Sequence, residues 1–347
     1  MSSSKTEVLR RTVLANILST VIASAVMVVV ISQVIRGLRY ATSVWSTLQR
    51  SAISPIDASS QHENVDDADK STIHMQMHDR SLDWRSAHYV ASVLHRFMTM
   101  TCTKNTVKSS DYQDMGLDIV STIGMSPVLG IAGIHGDTLW IAMRGAQTIE
   151  ELKTMSVCSQ QRVLVSTGFC DRSNIHTLYH RGLLSTYGRI ASDIDRLIRS
   201  DEMKMCKSVV IGGFSMGAGL APLIALHIEN RIPDKTRVFL MGSPRSANHA
   251  TARQIQMIMK DRIVRVVNED DMICSVPLVN WPDSSTRCGH CEYAHIGKVG
   301  MLFNVYKGNF AKTHSISNYL EAIDLTLRGP SVLSSKLEAE SPTSSSE

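Results

Sequence analysis

At 347 residues and a formal net charge of +4, the chain is long enough for one sizeable domain with its own core, and it has no charge excess that would single out nucleic acid. Lys and Arg form no cluster and aromatic residues make up only 5% of the chain, so neither a phosphate-tracking patch nor a base-stacking surface is expected. The 7 cysteines (Cys102, Cys158, Cys170, Cys206, Cys274, Cys288 and Cys291) are odd in number and scattered, unlike a disulfide framework, and there is no Asn-x-Ser/Thr glycosylation acceptor.

Residues 1–12 form a short basic flank. From Val13 to Ile35 no charged residue occurs, and most positions are Val, Ile, Leu, Ala or Met. As a helix this run rises roughly 35 Å, enough to cross a hydrocarbon core of about 30 Å. Lys5, Arg10 and Arg11 precede it and Arg36 and Arg39 follow it, so basic side chains can snorkel to both headgroup layers. A cleaved signal peptide would have an apolar region of about 7–15 residues closed by a small-x-small site. Here the run is longer and ends in Arg36-Gly37-Leu38-Arg39. Residues 13–36 are therefore expected to be a retained transmembrane helix, in preference to a signal or a buried core helix, and the protein a single-pass membrane protein. The flanks are too evenly basic for the positive-inside rule to set its orientation.

Residues 37–82 read as a linker, because 51–71 are rich in Ser, Asp and Ala with few large apolar groups. A domain is expected over 83–328. Tyr89, Val90, Val93, Leu94 and Phe97 recur at helix spacing. The stretch from Pro127 to Gly133 and that from Thr138 to Met143 read as two strands joined by a turn at His135-Gly136-Asp137. Then come helical 185–199, strand 208–211, helical 216–227, strand 237–241, strand 263–267 and a last helix over 316–327. Strands alternating with helices imply a mainly parallel sheet covered on both faces, an α/β fold. The Ser/Glu-rich stretch 329–347 reads as a disordered tail.

The sharpest chemical signal is Gly213-Phe214-Ser215-Met216-Gly217. The pentapeptide alone is weak. Its setting strengthens it: the apolar β-branched run Val209-Val210-Ile211 lies directly before and Ala218-Gly219-Leu220-Ala221 opens a helix directly after, the strand–turn–helix context of a nucleophile elbow. The glycines are needed because strand and helix pass too closely at 213 and 217 for side chains. The plainer alternative is a glycine-rich βα turn that merely packs tightly. Pro222 is expected to bend the helix locally. An acyl-transfer serine also needs a base, an orienting acid and an oxyanion hole. Downstream, a strand runs into Glu269-Asp270-Asp271, and His314 lies in a loop before the last helix. Taken singly, these read as a solvated acidic turn and a structural histidine.

Taken together, the assembly resembles the class 3 lipases over roughly residues 85–325. Trp140-Ile-Ala-Met-Arg144-Gly145 is similar to the family's strand ending in Phe-Arg-Gly, where its oxyanion hole begins. His180-Arg-Gly182-Leu183 with Tyr187 resembles its His-x-Gly-Phe block, and Gly213 to Leu220 its elbow. Met241-Gly-Ser-Pro-Arg-Ser-Ala-Asn248 resembles its Phe-Gly-Ser-Pro-Arg-x-Gly-Asn block. Asn268-Glu-Asp-Asp271, with Pro277 six residues on, resembles its acid loop and selects Asp271 over Asp270; His314, with Tyr319 five residues on, resembles its terminal histidine block. The chain departs from the pattern at Ala146, where Ser or Thr is usual, at Phe214, where His is usual, and at Ala247, where Gly is usual.

The resemblance implies an α/β-hydrolase fold and a serine lipase or esterase acting on carboxylic esters of acylglycerols or phospholipids. Ser215 is the expected nucleophile, His314 the base, Asp271 the orienting acid, and the N–H groups of Ala146 and Met216 the oxyanion donors. No cofactor and no metal is implied. The other reading is a lipase-like protein with weak or no activity that binds lipid or a partner. Residues 148–155 fall where the family carries a lid, and Ile149, Leu152 and Met155 share one helical face, so an apolar flap that opens at lipid is expected in preference to an ordinary amphipathic surface helix. Cys288-Gly-His290-Cys291 with His295 has the local look of a zinc site. It lacks a second Cys pair, so a redox pair and plain packing stand beside that reading.

Overall fold

The computed structural model describes residues 74–79, 81–101, 107–125, 127–163, 177–283, 286 and 288–328. The expected transmembrane helix at 13–36, most of the linker and the tail lie outside these residues. Among the described residues no helix is long and apolar enough to cross a membrane.

In chain order the main elements begin with β1 (His74–Met77), α1 (Trp84–Thr101), β2 (Asp118–Ile123), β3 (Gly130–His135), β4 (Thr138–Met143) and α2 (Ile149–Met155). A small hairpin follows, β5 (Gln160–Arg162) with β6 (Leu178–His180), then α3 (Arg181–Arg199), α4 (Asp201–Met205), β7 (Ser208–Phe214), α5 (Met216–Glu229) and β8 (Thr236–Met241). The chain continues through α6 (His249–Met259), β9 (Ile263–Asn268), a second small hairpin of β10 (Asn280–Pro282) and β11 (His290–Glu292), β12 (Lys298–Asn304), α7 (Phe310–Thr313) and α8 (Ile316–Arg328).

Eight strands form one sheet in the order β1-β12-β9-β8-β7-β4-β3-β2. The five central strands, β12, β9, β8, β7 and β4, run parallel. Antiparallel strands finish both edges. The expected mainly parallel sheet is thus the one observed. Strand alternation builds its two faces: Ile141, Ile211, Val238 and Leu240 pack with α3, α5 and α6 on one side. Trp140, Ala142, Val210, Phe239, Val264 and Val266 pack with α1 and α8 on the other. Because side chains on a strand point alternately to opposite faces, a sheet covered on both sides is apolar at nearly every position.

Two departures from expectation concern the edges. β1 lies inside the stretch read as linker, yet it pairs along its whole length with β12, so the folded unit starts no later than His74. Its four residues alternate Met with polar side chains, too short a pattern to stand out from a loop. α6 and β12 were also absent from the expected series. α5 runs unbroken from Met216 to Glu229 with Pro222 inside it, every residue buried between sheet and α3.

Candidate active site

All five parallel strands point their carboxyl ends to the same rim of the sheet, where residues far apart in sequence meet. Ser215 stands between β7 and α5 with φ +55° and ψ −120°, one of three non-glycine residues at positive φ among those described. Such a backbone costs on the order of 1–3 kcal/mol and persists only when its surroundings enforce it. They do so here. The Ser215 N–H donates to the Met241 carbonyl of β8 at 3.0 Å. A methyl group added to Gly217 would sit 2.1 Å from the Met143 carbonyl oxygen, and one added to Gly213 would sit 2.5 Å from the Gly217 oxygen. Helix and strand therefore touch backbone to backbone, which is why the turn needs glycine on both sides of the serine.

The carboxyl ends of β4 and β9 bring the other parts. Gly145 follows β4, and a methyl group on it would lie 3.1 Å from Cβ of Ser215, so the segment carrying Ala146 runs beside the serine. Met216, directly after Ser215, is the first residue of α5; at a helix N-terminus its N–H has no partner within the helix. Arg144, buried to 1% exposure, fastens this segment from below. It donates to Glu151 through both terminal nitrogens, at 3.0 and 2.8 Å, and through Nε to the Val128 carbonyl at 2.8 Å. The Glu151 carboxylate also accepts from the N–H groups of Gln147 at 2.7 Å and Thr148 at 3.1 Å. Burial opposes the charge on Glu151, but the hydrogen bonds and charge of Arg144 and the two backbone donors outweigh it and hold the carboxyl below its usual value.

Of the three acidic residues after β9, Glu269 and Asp270 are exposed and Asp271 is buried. Asp271 Oδ2 accepts from His314 Nδ1 at 2.6 Å and from the Tyr319 hydroxyl at 2.6 Å, while Oδ1 accepts from the Ile273 N–H at 3.0 Å. Burial again works against the charge; the His314 charge, then the hydrogen bonds from His314, Tyr319 and Ile273, overcome it and lower the carboxyl's pKa. Asn268, at the end of β9, ties this loop to the start of the next: its amide donates to the Val305 carbonyl at 3.0 Å and accepts the Val305 N–H at 2.9 Å. His314 closes α7, its N–H donating to the Phe310 carbonyl at 2.7 Å, and Asn318 holds that turn by donating to the carbonyls of Lys312 and Thr313.

The His314 ring stacks on Phe214, the residue before Ser215, with centroids 4.7 Å apart and planes 21° apart. Its second nitrogen, Nε2, is buried without a hydrogen-bond partner among the described residues. A methyl group on Gly242, which has φ +57°, would come within 3.1–3.2 Å of the Tyr319 hydroxyl, Asp271 Oδ2 and His314 Cε1 together. The residues expected from the sequence at 146, 215, 216, 271 and 314 thus gather at one rim. Chemically the arrangement offers a hydroxyl on a strained turn, a helix N-terminus beside it, and an imidazole oriented by a buried carboxylate.

The sequence reading passed over Tyr319 as a donor, Glu151 as the partner of Arg144, and the two phenyl rings around His314. Tyr319 stood only as a spacing mark, and Glu151 had no reading of its own within 148–155. α2 itself is fastened: Thr148 and Glu151 form a reciprocal capping box, Leu152 is buried, and a methyl group on Gly182 would lie 1.9 Å from the Thr154 carbonyl oxygen. Opening it would break the Arg144–Glu151 pair, so the surface-helix reading fits better than a free flap. Cys288, Cys291 and His295 do not converge: Cys291 Sγ contacts Asp283 at 3.2 Å, while His295 Nε2 contacts the Cys274 carbonyl at 2.9 Å. Cys288 and Cys291 are both free thiols, and among the described residues no group of three or more His, Cys, Asp or Glu is arranged to hold a metal ion.

Residues 140–281 match the family model described as lipase (class 3). Among solved structures the chain is similar to the triacylglyceride lipase of Rhizomucor miehei, at 18% identity over 65% of this chain and 82% of that one, with a TM-score of 0.49. It is also similar to a lipase from Rhizopus microsporus var. chinensis, at 16% identity over 65% and 76% of the two chains and a TM-score of 0.49. Lipase II from Rhizopus niveus shares 16% identity over 64% and 89%, with a TM-score of 0.46. No curated protein matches the chain. The likeness to the class 3 lipases is thus carried by residues 140–281, which run from β4 through the elbow and the acid loop to β10.

Proposed function

We propose that the protein is a membrane-anchored serine lipase or esterase that hydrolyses carboxylic esters of glycerolipids through an acyl-enzyme. The observation that carries this reading is the buried Asp271–His314 hydrogen bond of 2.6 Å, with the opposite imidazole nitrogen unpartnered and the ring stacked on the neighbour of Ser215. A base held in one tautomer with its other nitrogen free is what a weakly acidic hydroxyl needs to become a nucleophile. In this mechanism His314 Nε2 takes the Ser215 proton as the oxygen attacks the ester carbonyl. The N–H groups of Ala146 and Met216 receive the developing oxyanion, aided by the positive end of α5. His314 returns the proton to the departing alcohol, and water, activated by the same imidazole, then releases the fatty acid. The match of residues 140–281 to the class 3 lipase family model supports a lipid ester as substrate. Residues 13–36, as a transmembrane helix, would hold the site near its insoluble substrate.

Ala146 favours a second reading, a lipase-like protein that binds lipid or a partner with little turnover, because its methyl group leaves the oxyanion segment without a supporting hydroxyl. One pair of measurements separates the two. A fluorophosphonate probe should label the folded full-length chain and not Ser215→Ala, and the unmodified chain should release fatty acid from acylglycerol or phospholipid vesicles. Folded protein that takes no label and releases nothing supports the second reading.

A further inference from the structure

His314 is pressed by two phenyl rings, not one. Besides Phe214, Phe310 stacks on the imidazole with centroids 5.8 Å apart and planes 18° apart. Both phenyls are themselves buried, at 3% and 7% exposure. Each is braced independently: Phe214 meets Tyr319 edge to face at 5.8 Å and 67°, and Phe310 opens α7, whose last turn ends on His314. The histidine side chain is left only 10% exposed. Neither phenylalanine has any part in the chemistry described above.

When His314 accepts the serine proton it becomes a cation in a place where water cannot solvate it. Asp271 neutralises the Nδ1 edge. The faces of the ring meet aromatic π systems, whose quadrupoles attract a cation lying over them. We propose that Phe214 and Phe310 are positioning residues for proton transfer: stacked on His314, they hold its plane and favour the imidazolium formed as Ser215 attacks. A leucine would fill much of the same space but offers no π face, whereas a tyrosine keeps one. This separates the proposal from mere packing.

The inference rests on the hydrolase reading, and the test is built so that the two fail differently. Hydrolysis of a soluble short-chain p-nitrophenyl ester is followed for the full-length wild type and for F214L, F214Y, F310L and F310Y, with Tm recorded for each. F310L and F214L should each lose about three- to tenfold in kcat with KM nearly unchanged, and the tyrosine variants should retain most of the activity. In the proton NMR spectrum, the Cε1–H signal of His314 should lie upfield from ring currents and move downfield in each leucine variant. Leucine variants with wild-type kcat, or leucine and tyrosine variants equally impaired, would overturn the proposal. Phe310 lies outside the elbow, so F310L decides the matter even where F214L disturbs the turn. An inert wild type that takes no fluorophosphonate overturns the hydrolase reading and this inference with it; an active wild type with indifferent leucine variants overturns this inference alone.

Discussion

Replacing Glu151 by glutamine preserves the outline of the side chain and removes its charge, and the structure allows the consequence to be sized. The side chains of Arg144 and Glu151 are 2% and 5% exposed, so water does not screen the pair. Glutamine leaves the guanidinium buried and charged without a counterion, and turns one of two acceptor oxygens into a donor facing other donors. Breaking one side of a buried pair in this way costs about 3–5 kcal/mol. For a domain of this size each kcal/mol lowers Tm by roughly 2–4 °C, so E151Q should unfold roughly 6–20 °C below the wild type. The neighbouring Glu150 is a built-in control. Its pair with Lys153 is 81% and 66% exposed, and E150Q should move Tm by no more than about 1–2 °C. The assay is thermal unfolding of the full-length chain in detergent, followed by circular dichroism. An E151Q midpoint that matches E150Q would refute the claim that this pair fastens the segment carrying Ala146.

Y319F removes a 2.6 Å donor to a buried carboxylate. With one charge-assisted bond gone, ester hydrolysis by Y319F should fall while fluorophosphonate labelling persists more slowly; undiminished turnover would show that Asp271 needs no help. The same change has a signed pH consequence. The Asp271 carboxyl is held below its ordinary value in the folded chain, so its contribution to stability is present above the unfolded carboxylate pKa of about 3.9 and is lost as pH falls through the folded value. Y319F raises that folded value, so acid unfolding should begin at higher pH than in the wild type, as read by tryptophan fluorescence. G217A places a methyl 2.1 Å from a backbone oxygen and should yield insoluble or inactive protein; a soluble, active G217A would contradict the close contact at the elbow. Deletion of residues 13–36 should release the chain from membranes into a carbonate wash that leaves the full-length chain bound, and co-sedimentation of the deleted form would count against the anchor.

The elbow was legible in the sequence because everything it needs is local. A β-branched run, two glycines flanking a serine and a small-residue helix start lie within a dozen positions, and together they mark a tight strand–turn–helix. The central strands were legible for a similar reason, since strands buried on both faces are apolar throughout. Residues 271 and 314 were a different case. Their local surroundings read as a solvated turn and a stray histidine, and only the resemblance to a known family selected them. What joined them was tertiary: β9 and β12 are neighbours in the sheet although their starts, Ile263 and Lys298, lie 35 residues apart, and Asn268 bridges their ends. β1 was hidden because four alternating residues carry no signal apart from the β12 edge they complete. Glu151, Tyr319, Phe214 and Phe310 were hidden for the same physical reason. A charge that looks solvated, a hydroxyl and two phenyl rings acquire their roles from burial and orientation, which depend on what the rest of the chain packs against them. Sequence determined which turn could hold a strained serine; folding decided which carboxylate, which imidazole and which aromatic faces would surround it.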